Sequence, residues 1–182
     1  MLKGNYIRLK GFEHDYLEKL NDWMNDFELL KNIMRIEPSI KYFTQKWYEE
    51  LHYDNKRKMF AIVCEGSGEF IGCIGVNNIN YIDRNAEYYV YIGNKKFEGQ
   101  GFAFEATILF LKYLFNYLNL HKIYLNVRED NVKALNLYKK VGFNIEGTLI
   151  DEKYIGGKYI NIMRMAILKG EFEYEKGSNI TI

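Results

Sequence analysis

The alternation of apolar and polar positions changes period several times along the chain, and each change marks an element. Tyr6-Ile7-Arg8-Leu9-Lys10 alternates with period two, as a half-buried strand does. Tyr16, Leu17, Leu20, Trp23 and Met24 instead follow helical spacing, predicting a helix within 12–24. Residues 26–40 are ambiguous and read as a helix broken before Pro38, because a proline pushes its predecessor out of helical geometry. Residues 44–51 read as a short helix with Thr44 as a candidate cap. Strand-like runs at 60–64 and 70–76 flank Gly66-Ser67-Gly68 as a hairpin would. The turn Asp83-Arg84-Asn85 leads to a third strand at 86–92 and then a loop over 93–100. A long helix follows at about 101–118, with Ala106, Leu109, Phe110, Tyr113 and Tyr117 on one stripe. A strand at 122–127, a helix at 131–141 stopped by Gly142, and strands at 145–150 and 159–168 around Gly156-Gly157 complete the chain.

This order, without internal repeats or a Pro/Ser-rich linker, predicts one α+β domain: a mixed, mostly antiparallel twisted sheet flanked by helices. The strand-helix-strand step over 86–127 is the place for a local parallel pair. The domain is expected to span 1–169, with 170–182 a polar, loosely held tail. A formal charge of +1 over 182 residues gives no electrostatic reason to expect a nucleic-acid partner. Cys64 and Cys73 are too few for a disulfide framework and read as buried strand thiols. No apolar run reaches the roughly 20 residues of a membrane span, and residues 1–4 lead straight into a strand, so a cytoplasmic protein without a membrane partner is expected. The 16 tyrosines are expected to fill core volume, their hydroxyls finding partners or water.

Candidate chemistry begins at Glu98-Gly99-Gln100-Gly101-Phe102-Ala103, between a strand and the long helix. Small residues allow close backbone approach, and the first helical turn offers unpaired N–H groups and the positive end of the dipole to a pyrophosphate. By itself this is also what a plain tight turn looks like. A Walker A loop would continue with Lys and Ser or Thr, but Phe102 follows Gly101. A dinucleotide fingerprint would need a third small residue where Phe104 stands, within repeated strand-helix units.

The segment resembles the acetyl-CoA loop of GNAT acetyltransferases, Arg/Gln-x-x-Gly-x-Gly/Ala, with Gly101 in the fourth position and Ala103 in the sixth. Glu98 departs from the usual Arg or Gln; Lys95 and Lys96 are candidates to supply the missing charge. Asn131-Val132-Lys133-Ala134-Leu135-Asn136-Leu137-Tyr138, running on to Gly142-Phe143, resembles the family's Asn-x-x-Ala-x-x-Leu-Tyr-x-x-x-Gly-Phe segment. The likeness extends over roughly 5–169. It implies acetyl-CoA as co-substrate and direct attack of an amine on the thioester. No cluster of His, Cys and carboxylates has metal-site spacing, so no metal is expected.

The resemblance implies Tyr138 as general acid to the departing sulfur, since a phenol of pKa near 10 stays protonated at neutral pH; simple packing on its helix is the alternative. Glu87 is the candidate base, directly or through water, or else a solvated or Arg84-paired carboxylate. Alternation puts Glu87, Tyr89 and Tyr91 on one strand face and Tyr88 and Val90 on the other. Backbone groups of Tyr89, Val90, Tyr91 and Ile92 are expected to hold the pantetheine arm as an added strand. The turn residues Glu98, Gly99, Gln100, Gly101, Phe102 and Ala103 are expected at the pyrophosphate, with Asn131, Lys133 and Tyr138 also at the cofactor. Asn131 serves equally well as a helix cap, and His121 reads as structural.

Specificity is expected from the early helices and the last hairpin. Asp26, Glu28, Glu37, Glu49 and Glu50, among Phe27, Tyr42, Phe43, Trp47 and Tyr48, suit a cationic amine if they line a cleft, or are ordinary solvated helix faces. The stretches 80–87 and 119–125 are similar to the spermidine acetyltransferase branch, so a polyamine acceptor ranks first. Ribosomal-protein or peptide N-terminal amines and amino-sugar nucleotides come behind, and a non-catalytic acyl-CoA-binding regulatory domain is the reading of a different class. A homo-oligomer is left open.

Overall fold

The computed structural model describes residues 2–35, 37–51 and 53–172. Eight strands make one sheet: β1 (Leu2–Lys3), β2 (Ile7–Gly11), β3 (Lys58–Cys64), β4 (Phe70–Asn80), β5 (Asn85–Ile92), β6 (Lys122–Arg128), β7 (Asn144–Ile155) and β8 (Lys158–Leu168). The strand order across it is β1-β2-β3-β4-β5-β6-β8-β7. The helices are α1 (Leu17–Trp23), α2 (Phe27–Asn32), α3 (Lys41–Leu51), α4 (Phe102–Asn116) and α5 (Val132–Val141). Every neighbouring pair is antiparallel except β5 and β6, the step that carries α4.

The period-two strands split the core into two layers. Ile62 and Ile74 face α4, joining Ile7, Leu9, Leu109, Phe110 and Leu114. Ala61, Val63 and Cys73 face the other way, joining Phe12, Leu17, Leu20, Met24 and Leu30 around α1 and α2. Burial on α4 runs without a break from Ala106 to Lys112 and resumes at Leu114 and Phe115, wider than the predicted stripe, while Tyr117 is exposed. The extra burial has a cause: α5 packs on the same layer, and Phe172 covers Phe115 with ring centroids 5.4 Å apart. Each fully buried Leu or Phe there contributes about 1.5–3 kcal/mol.

Some boundaries move. α2 ends at Asn32 rather than at Pro38, and Asp26 caps it by accepting from the N–H groups of Glu28 and Leu29 at 3.0 and 3.3 Å. α3 starts at Lys41, so Thr44 is not its cap: the hydroxyl lies buried inside the helix and donates to Asn21 Oδ1 at 3.1 Å. Cys64 and Cys73 are buried free thiols in β3 and β4. Packing continues to Phe172 past the expected boundary at 169; residues 173–182 of the expected tail lie outside the described residues. Among the described residues no helix is long and apolar enough to cross a membrane.

Candidate active site

The site begins where two parallel strands part. On one side β5 pairs with β4 from Asn85 to Ile92. On the other it pairs with β6 only through Asn85, Ala86 and Glu87, opposite Lys122, Ile123 and Tyr124. Past Tyr124, β6 pairs with β8 alone. The β6-facing edge of 88–92 therefore has no ladder partner, in a setting where backbone polar groups are nearly always paired. The wedge leaves open the backbone edge of Tyr89, Val90, Tyr91 and Ile92, the kind of edge that an added extended chain can pair with.

The turn leads from the wedge into α4. Asn94 caps the short turn Lys95–Phe97, and the chain then passes Gly99 at φ +74° and Gly101 at φ +85°. Gly101 is the N-cap of α4, and a Cβ there would meet the left-handed penalty that glycine escapes. Glu105 N–H reaches Gly101 O at 3.1 Å, the first bond of the helix, so the N–H groups of Phe102 and Ala103, one turn earlier, have no intrahelical acceptor. Glu98, the departure from the family pattern, pairs with Lys133 of α5 at 2.6 Å. Lys95 is engaged elsewhere, by Asp26 at 2.7 Å, and Lys96 O accepts from Gln100 Nε2 at 2.6 Å. Lys133 thus stands beside the turn, balanced by Glu98, while Lys95 is taken up by Asp26; the start of the helix adds backbone N–H groups that suit an anion.

Tyr138 sits on the inner face of α5, only 8% exposed, edge-on to Tyr88 at 6.2 Å and to Phe143 at 5.8 Å. Burial pushes its phenol up to about 12. Its ring neighbour Tyr88 is satisfied, with its hydroxyl 2.7 Å from Thr107 Oγ1, whereas the Tyr138 hydroxyl makes no hydrogen bond among the described residues. Asn131 caps α5, its Oδ1 accepting from Ala134 N–H at 3.1 Å. His121 is exposed, and only its backbone is engaged, through Arg84 O and Lys169 N–H.

Glu87 occupies the last paired position of β5. It is not paired with Arg84; two amides hold it, Asn126 Nδ2 to Oε1 at 2.8 Å and Asn78 Nδ2 to Oε2 at 2.9 Å. Asn78 reaches it through a bulge in β4, at φ +53°, a conformation asparagine tolerates better than most residues. Glu87, Tyr89 and Tyr91 line a cavity of about 700 Å³ on the α1–α3 side. Tyr89 fits its wall because position 75 is glycine: a Cβ there would lie 2.5 Å from the Tyr89 hydroxyl.

Met24, Phe43, Thr44, Trp47, Arg35 and Arg57 complete much of the lining, and Glu87 is the one carboxylate among its described residues. Asp26, Glu28, Glu37, Glu49 and Glu50 stay out of it; of the aromatic residues expected with them, Phe43 and Trp47 take part, while Phe27 and Tyr42 are exposed. Asn78, Asn126, Arg35 and Arg57 escaped the sequence reading. The signal for the two asparagines was there, since this residue type is unfavourable inside strands and asks for a reason.

Comparison with known proteins agrees with this geometry. Residues 7–144 match the model of the acetyltransferase (GNAT) domain. The spermidine N(1)-acetyltransferase of Escherichia coli strain K12 is 36% identical over 174 residues, covering 94% of this chain and 91% of the relative. The crystal structure of spermidine N-acetyltransferase from Vibrio cholerae in complex with CoA and spermine superposes with a TM-score of 0.88 at 31% identity, covering 93% of this chain and 99% of that one. A dodecameric structure of the Vibrio cholerae enzyme in an intermediate state gives 0.82 at 31% identity, covering 96% and 100%. The matched span holds the parted strands, the glycine turn and α5 together, and the chain belongs to the GNAT acetyltransferases, the family that moves an acetyl group from acetyl-CoA to an amine.

Proposed function

We propose that this chain acetylates a polyamine of the spermidine class at a primary amine, with Glu87 as base and Tyr138 as acid. The observation that carries the reading is the wedge opening directly after Glu87, between the cavity and the glycine turn. Bound acetyl-CoA supplies the thioester carbonyl; the wedge edge at 89–92 takes its amide-bearing arm, and the turn at 98–103, with Asn131 and Lys133 beside it, takes its phosphates. An ammonium has no lone pair, so the acceptor must first lose a proton, which the Glu87 carboxylate takes directly or through water. A β5 backbone N–H polarises the carbonyl as charge develops. The phenol of Tyr138, kept protonated by burial, donates to the departing sulfur. The polyamine assignment is supported by the likeness to spermidine acetyltransferases over more than nine-tenths of the chain. By the same likeness the protein works in the cytoplasm as a homo-oligomer, with residues 1–169 as the catalytic domain.

One observation favours a second reading. Among its described lining the cavity carries a single carboxylate and two arginines, which suits an acceptor with one cationic amine, such as a peptide N-terminus, as well as a polycation. Thiol release from acetyl-CoA, measured across spermidine, spermine, peptides beginning with Ser or Ala, and amino-sugar nucleotides, separates the two. Saturable turnover on spermidine at far lower concentration than on any peptide supports the polyamine; the reverse order supports the N-terminal amine. Tight acetyl-CoA binding with no turnover on any amine favours a regulatory acyl-CoA-binding domain.

A further inference from the structure

We infer that Asn126 is a positioning residue for Glu87, one whose side chain holds the carboxylate across the mouth of the wedge; this rests on the proposed role of Glu87 as base. Glu87 stands on the last rung that β5 shares with β6, and Asn126 lies two residues past the end of that rung, on the strand that has turned away. Its amide spans the gap by donating Nδ2 to Glu87 Oε1 at 2.8 Å. The second amide, Asn78, comes from the β4 side and donates to Oε2 at 2.9 Å. The carboxylate is thus held from both walls, and only Asn126 holds it from the wall that carries α5 and Tyr138.

The cost of this arrangement is visible in Asn126 itself. Its Oδ1 is buried and has no hydrogen-bond partner. An unsatisfied buried acceptor opposes folding, and an interior strand position ordinarily prefers a β-branched or aromatic side chain. Flipping the amide would not help, because it would turn the oxygen onto the Glu87 carboxylate. Packing alone therefore argues against asparagine at this position, and the bond to Glu87 argues for it; a residue that breaks a local rule without a structural gain is where function is expected. The other charged or titratable groups among the described residues of the cavity wall are Arg35, Arg57, Tyr88, Tyr89 and Tyr91, and the hydrogen bonds that hold Glu87 come from Asn126 and Asn78.

The test compares Asn126→Leu and Asn126→Asp with native protein, reading kcat and KM with the best amine, acetyl-CoA affinity, thermal midpoint and the pH profile of kcat/KM. Leu removes the unsatisfied oxygen and the tether together, so the midpoint is expected to hold or rise while kcat falls about 10–100-fold and acetyl-CoA affinity is unchanged. Asp is nearly isosteric and sets a second carboxylate against Glu87, so the acidic limb of kcat/KM is expected to move to higher pH. A lower midpoint with unchanged kcat for Leu, or an unmoved acidic limb for Asp, overturns the inference. If Leu does not fold, the limb of the Asp variant decides. Glu87→Gln separates the two levels: native turnover in that variant removes the base assignment and with it the role of Asn126, whereas its inactivity beside a fully active Asn126→Leu removes Asn126 alone.

Discussion

Tyr138, the proposed acid, shows how its surroundings set the state of one side chain. Among the described residues the hydroxyl has no hydrogen-bond partner while the ring is fixed by Tyr88 and Phe143, so the phenol is oriented yet available. Burial penalises the phenolate and lifts the phenol from about 10 to about 12. For the fold, the sign is unfavourable at high pH: stability is lost as pH rises through the unfolded value near 10. For catalysis, the proton stays in place throughout the neutral and mildly alkaline range. Tyr138→Phe keeps the ring packing and deletes only the hydroxyl. The expected result is a fall in kcat of about 10²–10⁴-fold with acetyl-CoA affinity unchanged. Any decline in native kcat between pH 8 and 10 should persist in the variant; if the decline vanishes with the hydroxyl, Tyr138 is titrating in that range and the burial account is wrong.

α2 is six residues long, too short to hold its place by helix propensity, and it is pinned at both ends. Its cap Asp26 meets Lys95 from the glycine-turn segment at 2.7 Å, and its last turn offers Lys31 O to Arg128 Nη1 at 3.2 Å. Arg128 is only 5% exposed and also grips Asp130 with two bonds, at 2.8 and 2.6 Å. Thus one short element on the cavity side is fastened to the residues that lead into the turn at 98–103 and into α5. Arg128→Met keeps the apolar stem and removes the fork. A loss of about 1.5–3 kcal/mol is expected from the charged hydrogen bond, seen as a midpoint lower by roughly 3–12 °C for a chain of this size. Arg128 holds the Asp130 carboxyl below its usual range, a contribution present above the unfolded value and lost as pH falls through the folded one. The variant should therefore lose less stability on acidification than the native protein, as urea unfolding at pH 7 and pH 3.5 would measure. None of this tie could be read in the sequence, because its partners lie 97 residues apart. The periods that do survive in the sequence are local ones: β2, β3, β5, α4 and α5 all lie where the alternation puts them. Boundaries failed where a distant group intervened, as when Asn21 took up the hydroxyl of Thr44.

The proposed cofactor half of the site could be picked out in the sequence because it consists of two nearly continuous stretches, the turn at 98–103 and the helix start at 131–138. The acceptor half was not, because the cavity draws on α1, α3, β4, β5, β6 and the segments between them. Counting carboxylates along the early helices suits an acidic cleft; the fold keeps those carboxylates off the cavity wall and sets the exposed Arg35 and Arg57 along it. Arg57 is compensated by Asp54 at 2.9 Å, whereas among the described residues the guanidinium of Arg35 meets the sulfur of Met24, at 3.6 Å, and no carboxylate. Arg35 is then the charge an incoming cation feels most. Two like charges about 8 Å apart at an effective dielectric near 20 repel by about 2 kcal/mol, and an acceptor with three ammonium groups meets that repulsion more than once. Replacing Arg35 with Gln should raise kcat/KM for spermidine up to roughly 10-fold while leaving a singly charged amine within about 2-fold. The gain should shrink as salt rises from 0.05 to 0.5 M, since screening does part of what the substitution does. If both acceptors gain equally, Arg35 acts through the shape of the cavity and not its charge. If spermidine loses activity, the guanidinium is not opposing the polyamine but organising the segment between α2 and α3 that receives it.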